Sequence, residues 1–292
     1  VTKYKGNGVY FYKYKQNADK TETDWFKQCI KRVKDSKNSY STIILSWTVR
    51  QSEAYNSYAR QVLFGKTDLH EYEQGDVLVF SDFYGVQDNI GNDDNTEMTK
   101  FSSSEPVKVV NLAKNVVHCE KLTEQIAPKT NKLRHNISIM NKYTEVVKDI
   151  NTRFADNYTV HKLSVQKLME NTLHHDDKQY DITVLDAESK KRYFQDVEYI
   201  KEKIKSLRNY YYQIQKDSIK SIDDEIIKPL WKELYKHFID QFANVNYGLS
   251  ITTHKSQAST YKDVFVDADD IMRNQNIDEC KKLLYTAITR AS

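Results

Sequence analysis

Two stretches near the carboxyl end concentrate groups that handle phosphate. Gly248 to Thr260 reads G-L-S-I-T-T-H-K-S-Q-A-S-T, an apolar strand that breaks into a turn rich in hydroxyls and charge. Thr252, Thr253, His254, Lys255, Ser256, Ser259 and Thr260 offer hydroxyl, imidazole, ammonium and backbone N–H groups at one sheet edge. A helix starting near Ser256 would add its positive dipole end. Several weak donors with no base-reading geometry suit a phosphodiester; the same residues also suit an ordinary polar surface turn. Leu283 to Ala291 reads L-L-Y-T-A-I-T-R-A, a helical segment that delivers Arg290 just past its end. A guanidinium is a planar, permanent cation able to neutralise charge on a γ-phosphate during hydrolysis. The competing reading is an arginine favoured by the negative end of the helix dipole.

Together the two stretches resemble motifs V and VI of superfamily 1 helicases, in the RecD/Dda-like branch. H-K-S-Q-x-S-T followed by Tyr261 and V-F-V-D resembles the first, and L-Y-T-A-I-T-R-A is similar to the L-Y-V-A-x-T-R-A of the second. The resemblance implies that the turn grips the tracking strand, that Gln257 and Arg290 face ATP, and that Arg290 is the catalytic arginine finger. That role requires a guanidinium neither sealed in the apolar interior nor turned from the carboxyl rim of the sheet. One departure stands at Ala258, where the family has glycine, a residue that permits positive φ. Ser46 to Arg50, with Asn56, resembles T-N-x-x-V-x-x-x-N, the segment that opens the second motor domain. It would bring Thr48 and Arg50 to the nucleic-acid backbone, although Trp47-Thr48 replaces Thr-Asn. Gly75 to Phe80 resembles the G-D-x-V-x-F start of a small β-barrel inserted in this branch. Just beyond it, Phe83 reads as a core residue, and Tyr84 is open to base stacking.

The elements that must carry these residues read as α/β. A short strand fits Val9 to Tyr12, and Trp25, Phe26, Cys29, Ile30 and Val33 recur at helical spacing. Tyr40 to Trp47 reads as a buried strand. A helix follows, with Ala54, Tyr55, Tyr58, Ala59, Val62 and Leu63 on one face. Helix, strand, helix predicts a parallel sheet. Past Gly65 the pattern changes to short strands and turns. Val107 to Leu112 and Val116 to Leu122 predict a hairpin around Ala113-Lys114-Asn115, and Tyr158 to Leu163 and Tyr180 to Leu185 complete a small barrel. Residues 124–157 read as mixed helix and loop. From Asp196 the pattern is helical, with Val197, Ile200, Ile204, Leu207 and Tyr211 on one side. Ile227, Leu230, Leu234 and Phe238 follow on a second stretch, which Pro229 kinks or starts. The two predict a helical hairpin.

Bulk properties narrow the class. With 292 residues and 39% hydrophobic content, the chain can build two modest domains or one domain with a large insertion. A net charge of +3 makes any nucleic-acid surface a local patch. Cys29, Cys119 and Cys280 are odd in number and far apart, which supports neither a zinc site nor a disulfide framework and points to a reducing, intracellular compartment. No apolar run approaches the ~18 residues of a membrane span. Only 7 Gly and 3 Pro stand against 21 Tyr, a bias that looks like AT-rich coding, as in some large DNA viruses, phages or protozoa. Separately, the expected location is intracellular: the nucleus, or the host cytoplasm if the source is viral.

Other clusters read as structural. His174-His175-Asp176-Asp177 are adjacent and do not converge on a metal. Asp223-Asp224-Glu225 reads as a helix N-terminal charge cluster, and Lys201, Lys203, Lys205 and Arg208 as a solvated face. No G-x-x-x-x-G-K-[S/T] phosphate loop occurs anywhere, and the chain starts at Val1. The chain is therefore expected to be the C-terminal motor half of a larger helicase, and the resemblance implies an α/β RecA-like domain from 1–65 and 246–292. An inserted small β-barrel with an irregular extension would span 66–190, and a helical hairpin 191–245. The implied activity is ATP-dependent translocation on single-stranded DNA and duplex unwinding, 5′ to 3′. The implied cofactors are ATP and Mg2+, bound mainly by an upstream RecA-like domain of the same polypeptide. Single-stranded or forked DNA and replication or repair proteins are the implied partners, with no membrane. Alone, the fragment would be inactive. The alternatives are a non-catalytic nucleic-acid-binding scaffold and an RNA helicase of the same superfamily.

Overall fold

The computed structural model describes residues 8–12, 19–35, 40–87, 98–153, 157–168, 178–257 and 259–291. Ala258 and the cluster His174 to Asp177 lie outside them. The first elements are α1 (Asp24–Asp35), β1 (Thr42–Ser46) and α2 (Val49–Phe64). Next come β2 (Val77–Phe80), β3 (Tyr84–Gln87), β4 (Met98–Phe101), β5 (Pro106–Val117), α3 (Asn131–Arg134), α4 (Ile137–Arg153), β6 (Tyr158–Lys167) and β7 (Gln179–Leu185). Then follow α5 (Ala187–Ile214), α6 (Ile219–Ile222), α7 (Lys228–Leu234), β8 (Val245–Tyr247), β9 (Ser250–Thr252), β10 (Asp263–Val266), α8 (Ala268–Met272) and α9 (Ile277–Ile288). Val9 to Tyr12 hold only an isolated bridge residue, Phe11, rather than the expected strand.

β1 is buried at every residue, as a parallel strand covered on both faces must be. It pairs in parallel with β10 on one side and β9 on the other. Its side chains alternate. Ile43 and Leu45 pack with Ile251, Ile271, Leu283 and Ala287, toward α8 and α9. Ile44 packs with Phe26, Cys29, Tyr55 and Ala59, toward α1 and α2. Thr48 caps α2 by accepting the Gln51 N–H at 3.2 Å, and Gly65 ends it with φ +67°.

The buried face of α2 differs from the expected one. Tyr55 and Ala59 are inside, but Tyr58 and Val62 are exposed, and Ser52, Asn56 and Arg60 are buried instead. Each of these polar groups has a partner. The Ser52 hydroxyl donates to the Ser250 carbonyl at 2.7 Å. Asn56 accepts the Ser250 N–H and donates to its carbonyl, both at 2.8 Å. Arg60 pairs with Asp76. Buried polar groups are tolerated when bonded, so the helix turns this face inward.

The region between α2 and β9 forms an antiparallel sheet in the order β7-β6-β5-β2-β8, beside the β3-β4 hairpin. The hairpin expected around Ala113-Lys114-Asn115 is not there. β5 is one strand paired to β6 from Val107 opposite Lys167 to Val117 opposite Tyr158. The polar triplet lies on an exposed stretch of the paired strand, where it needs no turn. β8 pairs with β2, so the parallel sheet resumes only at Ser250. Gly248 marks the crossing; a Cβ there would stand 3.0 Å from Val79 Cγ1.

Helices α4, α5 and α7 enclose a separate core that includes Tyr143, Ile150, Ile200, Leu207, Leu230 and Phe238, so the expected hairpin gains a third helix. π-helical turns over Asp223–Ile227 and Tyr235–Ile239 flank α7, and Pro229 lies in its first turn. Asp223-Asp224-Glu225 occupy the first of these turns rather than a helix N-terminus. They hold Arg208 at 2.8 Å, Lys228 at 2.5 Å and the Thr130 N–H at 2.9 Å respectively. Among the described residues no helix is long and apolar enough to cross a membrane.

Candidate functional site

β9 ends at Thr252 beside Ser46, the last residue of β1, at the carboxyl rim of the parallel sheet. The Thr253 N–H and hydroxyl both donate to the Ser46 carbonyl, at 2.8 and 3.1 Å. The Ser256 hydroxyl donates to the Thr253 carbonyl at 2.8 Å. Both side chains are buried, so these two hydroxyls build the turn. The helix start expected near Ser256 is absent. Residues 253–257 form successive turns, because Ser256 bonds back onto Thr252 and Thr253 and closes the chain locally. What the turn presents outward is His254, Lys255 and Gln257. The His254 ring lies 3.7 Å from Glu279 of α9. Thr252 is buried, Ser259 half-buried and Thr260 exposed.

Thr48 stands at the same rim. The Asp270 carboxylate accepts the Trp47 and Thr48 N–H groups, each at 2.8 Å, and the Thr48 hydroxyl at 3.2 Å. Asp267 accepts the Tyr55 hydroxyl at 2.7 Å and pairs with Lys20. Both rim carboxylates therefore have internal partners, and among the described residues no three His, Cys, Asp or Glu converge on a metal position. Arg50 is exposed on the first turn of α2. Between α2, β9 and the antiparallel sheet runs a cleft of about 470 Å³, lined by Val49, Glu53, Asn246, Thr252 and Lys255 among others.

Arg290 is half-buried, not sealed in the core. Its guanidinium donates to the carbonyls of Thr286 and Ser259, both at 3.2 Å, and to the Thr289 hydroxyl at 3.3 Å. All three acceptors are neutral. Among the described residues no carboxylate bridges it, which leaves its charge available to an anion. Its place along the sheet differs from the expectation. The Arg290 carbonyl accepts the Tyr261 N–H at 2.8 Å, and Tyr261 bridges Ala291 just before β10 begins. Arg290 thus stands at the amino end of β10, not at the carboxyl rim. The cause is geometric: α9 follows β10, runs back along the sheet, and delivers its own carboxyl end to the opposite edge. The 253–261 crossover links the two ends, and Ser259 is where it meets Arg290.

Tyr84 is half-buried, stacked on Phe80 at 5.9 Å, and its hydroxyl donates to the Gln241 carbonyl at 3.3 Å. Burial pushes its pKa up. Phe83, expected in the core, is 63% exposed in the connection between β2 and β3. Sequence reasoning missed Arg60, Asp76, Asp270 and Ser104 as parts of the site's frame. Only Asp76, within its G-D pair, carried any local signal.

Residues 247–292 match the UvrD-like helicase C-terminal domain family. That span contains both the exposed turn and Arg290, and it supports a superfamily 1 helicase C-terminal half with a helicase-related function. An uncharacterized protein of Acanthamoeba polyphaga mimivirus is 28% identical over 285 residues, covering 97% of this chain and 52% of that protein. The chain spans about half the length of that relative.

Proposed function

We propose that this chain is the second motor half of an ATP-dependent DNA helicase of the RecD/Dda-like branch, tracking 5′ to 3′ on single-stranded DNA. Its division of labour follows the two ends of the sheet. At the carboxyl rim, Lys255 and His254 meet the phosphodiester backbone, with Arg50 reaching it from α2, while Thr253 and Ser256 hold the turn in shape. Thr48 fixes the start of α2. Arg290 misses the carboxyl rim that the finger role was expected to require, so the assignment rests on its half-buried guanidinium, which no carboxylate bridges among the described residues. From the amino end it would face the γ-phosphate of a nucleotide held mainly by an upstream RecA-like domain, with exposed Gln257 in the segment between. A half-exposed guanidinium bonded only to neutral acceptors fits a polyphosphate. Among the described residues, the rim carboxylates Asp267 and Asp270 are tied internally, so magnesium would be held by the upstream domain. Bound ATP supplies the phosphoryl-transfer energy, and Arg290 stabilises charge on the transferred group.

The observation that carries this reading is the bond from Arg290 to the Ser259 carbonyl. It ties the nucleotide-facing cation to the segment that starts as the DNA-facing turn, so a shift at one is felt at the other. The test is strand-stimulated ATP hydrolysis and strand displacement by the full-length protein on 5′- and 3′-tailed duplexes. The expected result is hydrolysis stimulated by single-stranded DNA and displacement from 5′ tails. Hydrolysis indifferent to DNA would overturn the reading, and displacement confined to RNA duplexes would reassign the substrate.

A further inference from the structure

Among the described residues, Ser104 is the one non-glycine with positive φ, +68°. A side chain crowds the backbone there, and such positions persist where the surroundings over-determine them. Ser104 lies in the turn between β4 and β5, and that turn is pinned inward. The Ser104 N–H donates to the Phe80 carbonyl at 2.8 Å, and the Ser102 N–H to the Glu105 carboxylate at 2.8 Å. Lys167 pairs with the same carboxylate at 2.7 Å. The Ser104 hydroxyl points elsewhere: it crosses to the other sheet and donates to the Lys255 carbonyl at 3.1 Å. On its other side, the Lys255 N–H donates to the Thr252 carbonyl at 2.9 Å. The backbone of Lys255 is thus held by both sheets, while its ammonium is exposed.

We propose that Ser104 is a positioning residue for nucleic-acid binding: its hydroxyl, presented by a strained turn, fixes the Lys255 backbone and with it the direction from which the Lys255 ammonium meets a phosphodiester. The inserted sheet is thereby a brace for the exposed turn of the parallel sheet. The proposal rests on the reading of residues 253–257 as the DNA-holding turn.

The experiment uses Ser104→Gly and Ser104→Ala in the full-length protein. Both remove the hydroxyl. Glycine also relieves the positive φ, so the turn itself survives. Amide hydrogen exchange without DNA should show faster exchange over 252–257 in both variants; unchanged protection there overturns the brace. Affinity for a labelled oligothymidine, read by anisotropy, should fall roughly 2- to 10-fold, the range for losing one hydrogen bond. Combined with Lys255→Ala, either substitution should add no further loss, because Ser104 acts through Lys255. Additive losses overturn the positioning role. Faster exchange with DNA affinity unchanged in Lys255→Ala itself keeps the brace and removes the DNA-holding reading of the turn.

Discussion

Arg60 and Asp76 close a two-pronged pair across the seam between α2 and the inserted sheet, Nε to Oδ1 at 2.7 Å and Nη2 to Oδ2 at 2.8 Å. Both side chains are buried. The guanidinium lies over the Tyr247 ring at 4.3 Å and also donates to the His70 carbonyl at 2.9 Å. Asp76 accepts the Glu73 N–H at 2.7 Å as well. Removing either partner leaves a buried charge alone. Arg60→Met or Asp76→Leu should each cost about 3–5 kcal/mol, read from the urea midpoint. The double substitution should cost less than the sum; simple additivity would mean the two do not act as a pair.

Arg290→Ala should lower DNA-stimulated ATP turnover of the full-length protein by about 10³-fold or more. Folding stability should change by less than about 1 kcal/mol, since the lost bonds go to neutral acceptors near the surface. Arg290→Lys should recover little, because an ammonium lacks the planar fork. Steady-state hydrolysis at saturating ATP and DNA checks both, and retained turnover in Arg290→Ala would sink the finger.

Lys255→Ala and Arg50→Ala should each weaken single-stranded DNA binding by a similar factor on every sequence, and reduce the slope of log affinity against log salt by about 1. Anisotropy titrations at several salt concentrations measure this. A slope equal to that of the unaltered protein would mean the side chain does not neutralise a phosphate.

Asp186 caps α5, accepting the Ser189 N–H at 2.7 Å. Burial opposes its ionisation, but the hydrogen bonds from Ser189 and the nearby Lys114 and His161 carry its pKa below the ordinary 3.8. A carboxylate with a lowered folded-state pKa stabilises fully above its unfolded value, and the effect fades as pH falls through the folded one. Asp186→Ala should therefore cost about 1 kcal/mol at neutral pH. The gap should narrow as pH drops below 3.8. Denaturation across that range checks it; a gap independent of pH would show that the charge does not contribute.

Much of the frame was legible because its signals are local. β1 reads as a buried strand around Ile43, Ile44 and Leu45, and α5 and α7 show helical periodicity. What stayed hidden depends on distant partners. Ser52, Asn56 and Arg60 look solvent-facing until Ser250 and Asp76 are placed beside them. The triplet Ala113-Lys114-Asn115 imitates a turn because its pairing with Val160 to Lys162 of β6 is invisible in one dimension. Arg290 was singled out by its resemblance to a motif, but its edge of the sheet follows from the return direction of α9. Ser104 carries no sequence signal at all, since its conformation is imposed by the turn around it.

The crossover that starts at Thr253 is anchored to Ser46 and ends where Tyr261 meets Arg290. Fastened at both ends, the segment differs from a surface loop that takes up an extra residue freely: an insertion between the two anchors should displace either the lysine-bearing bend or the arginine's carbonyl partner.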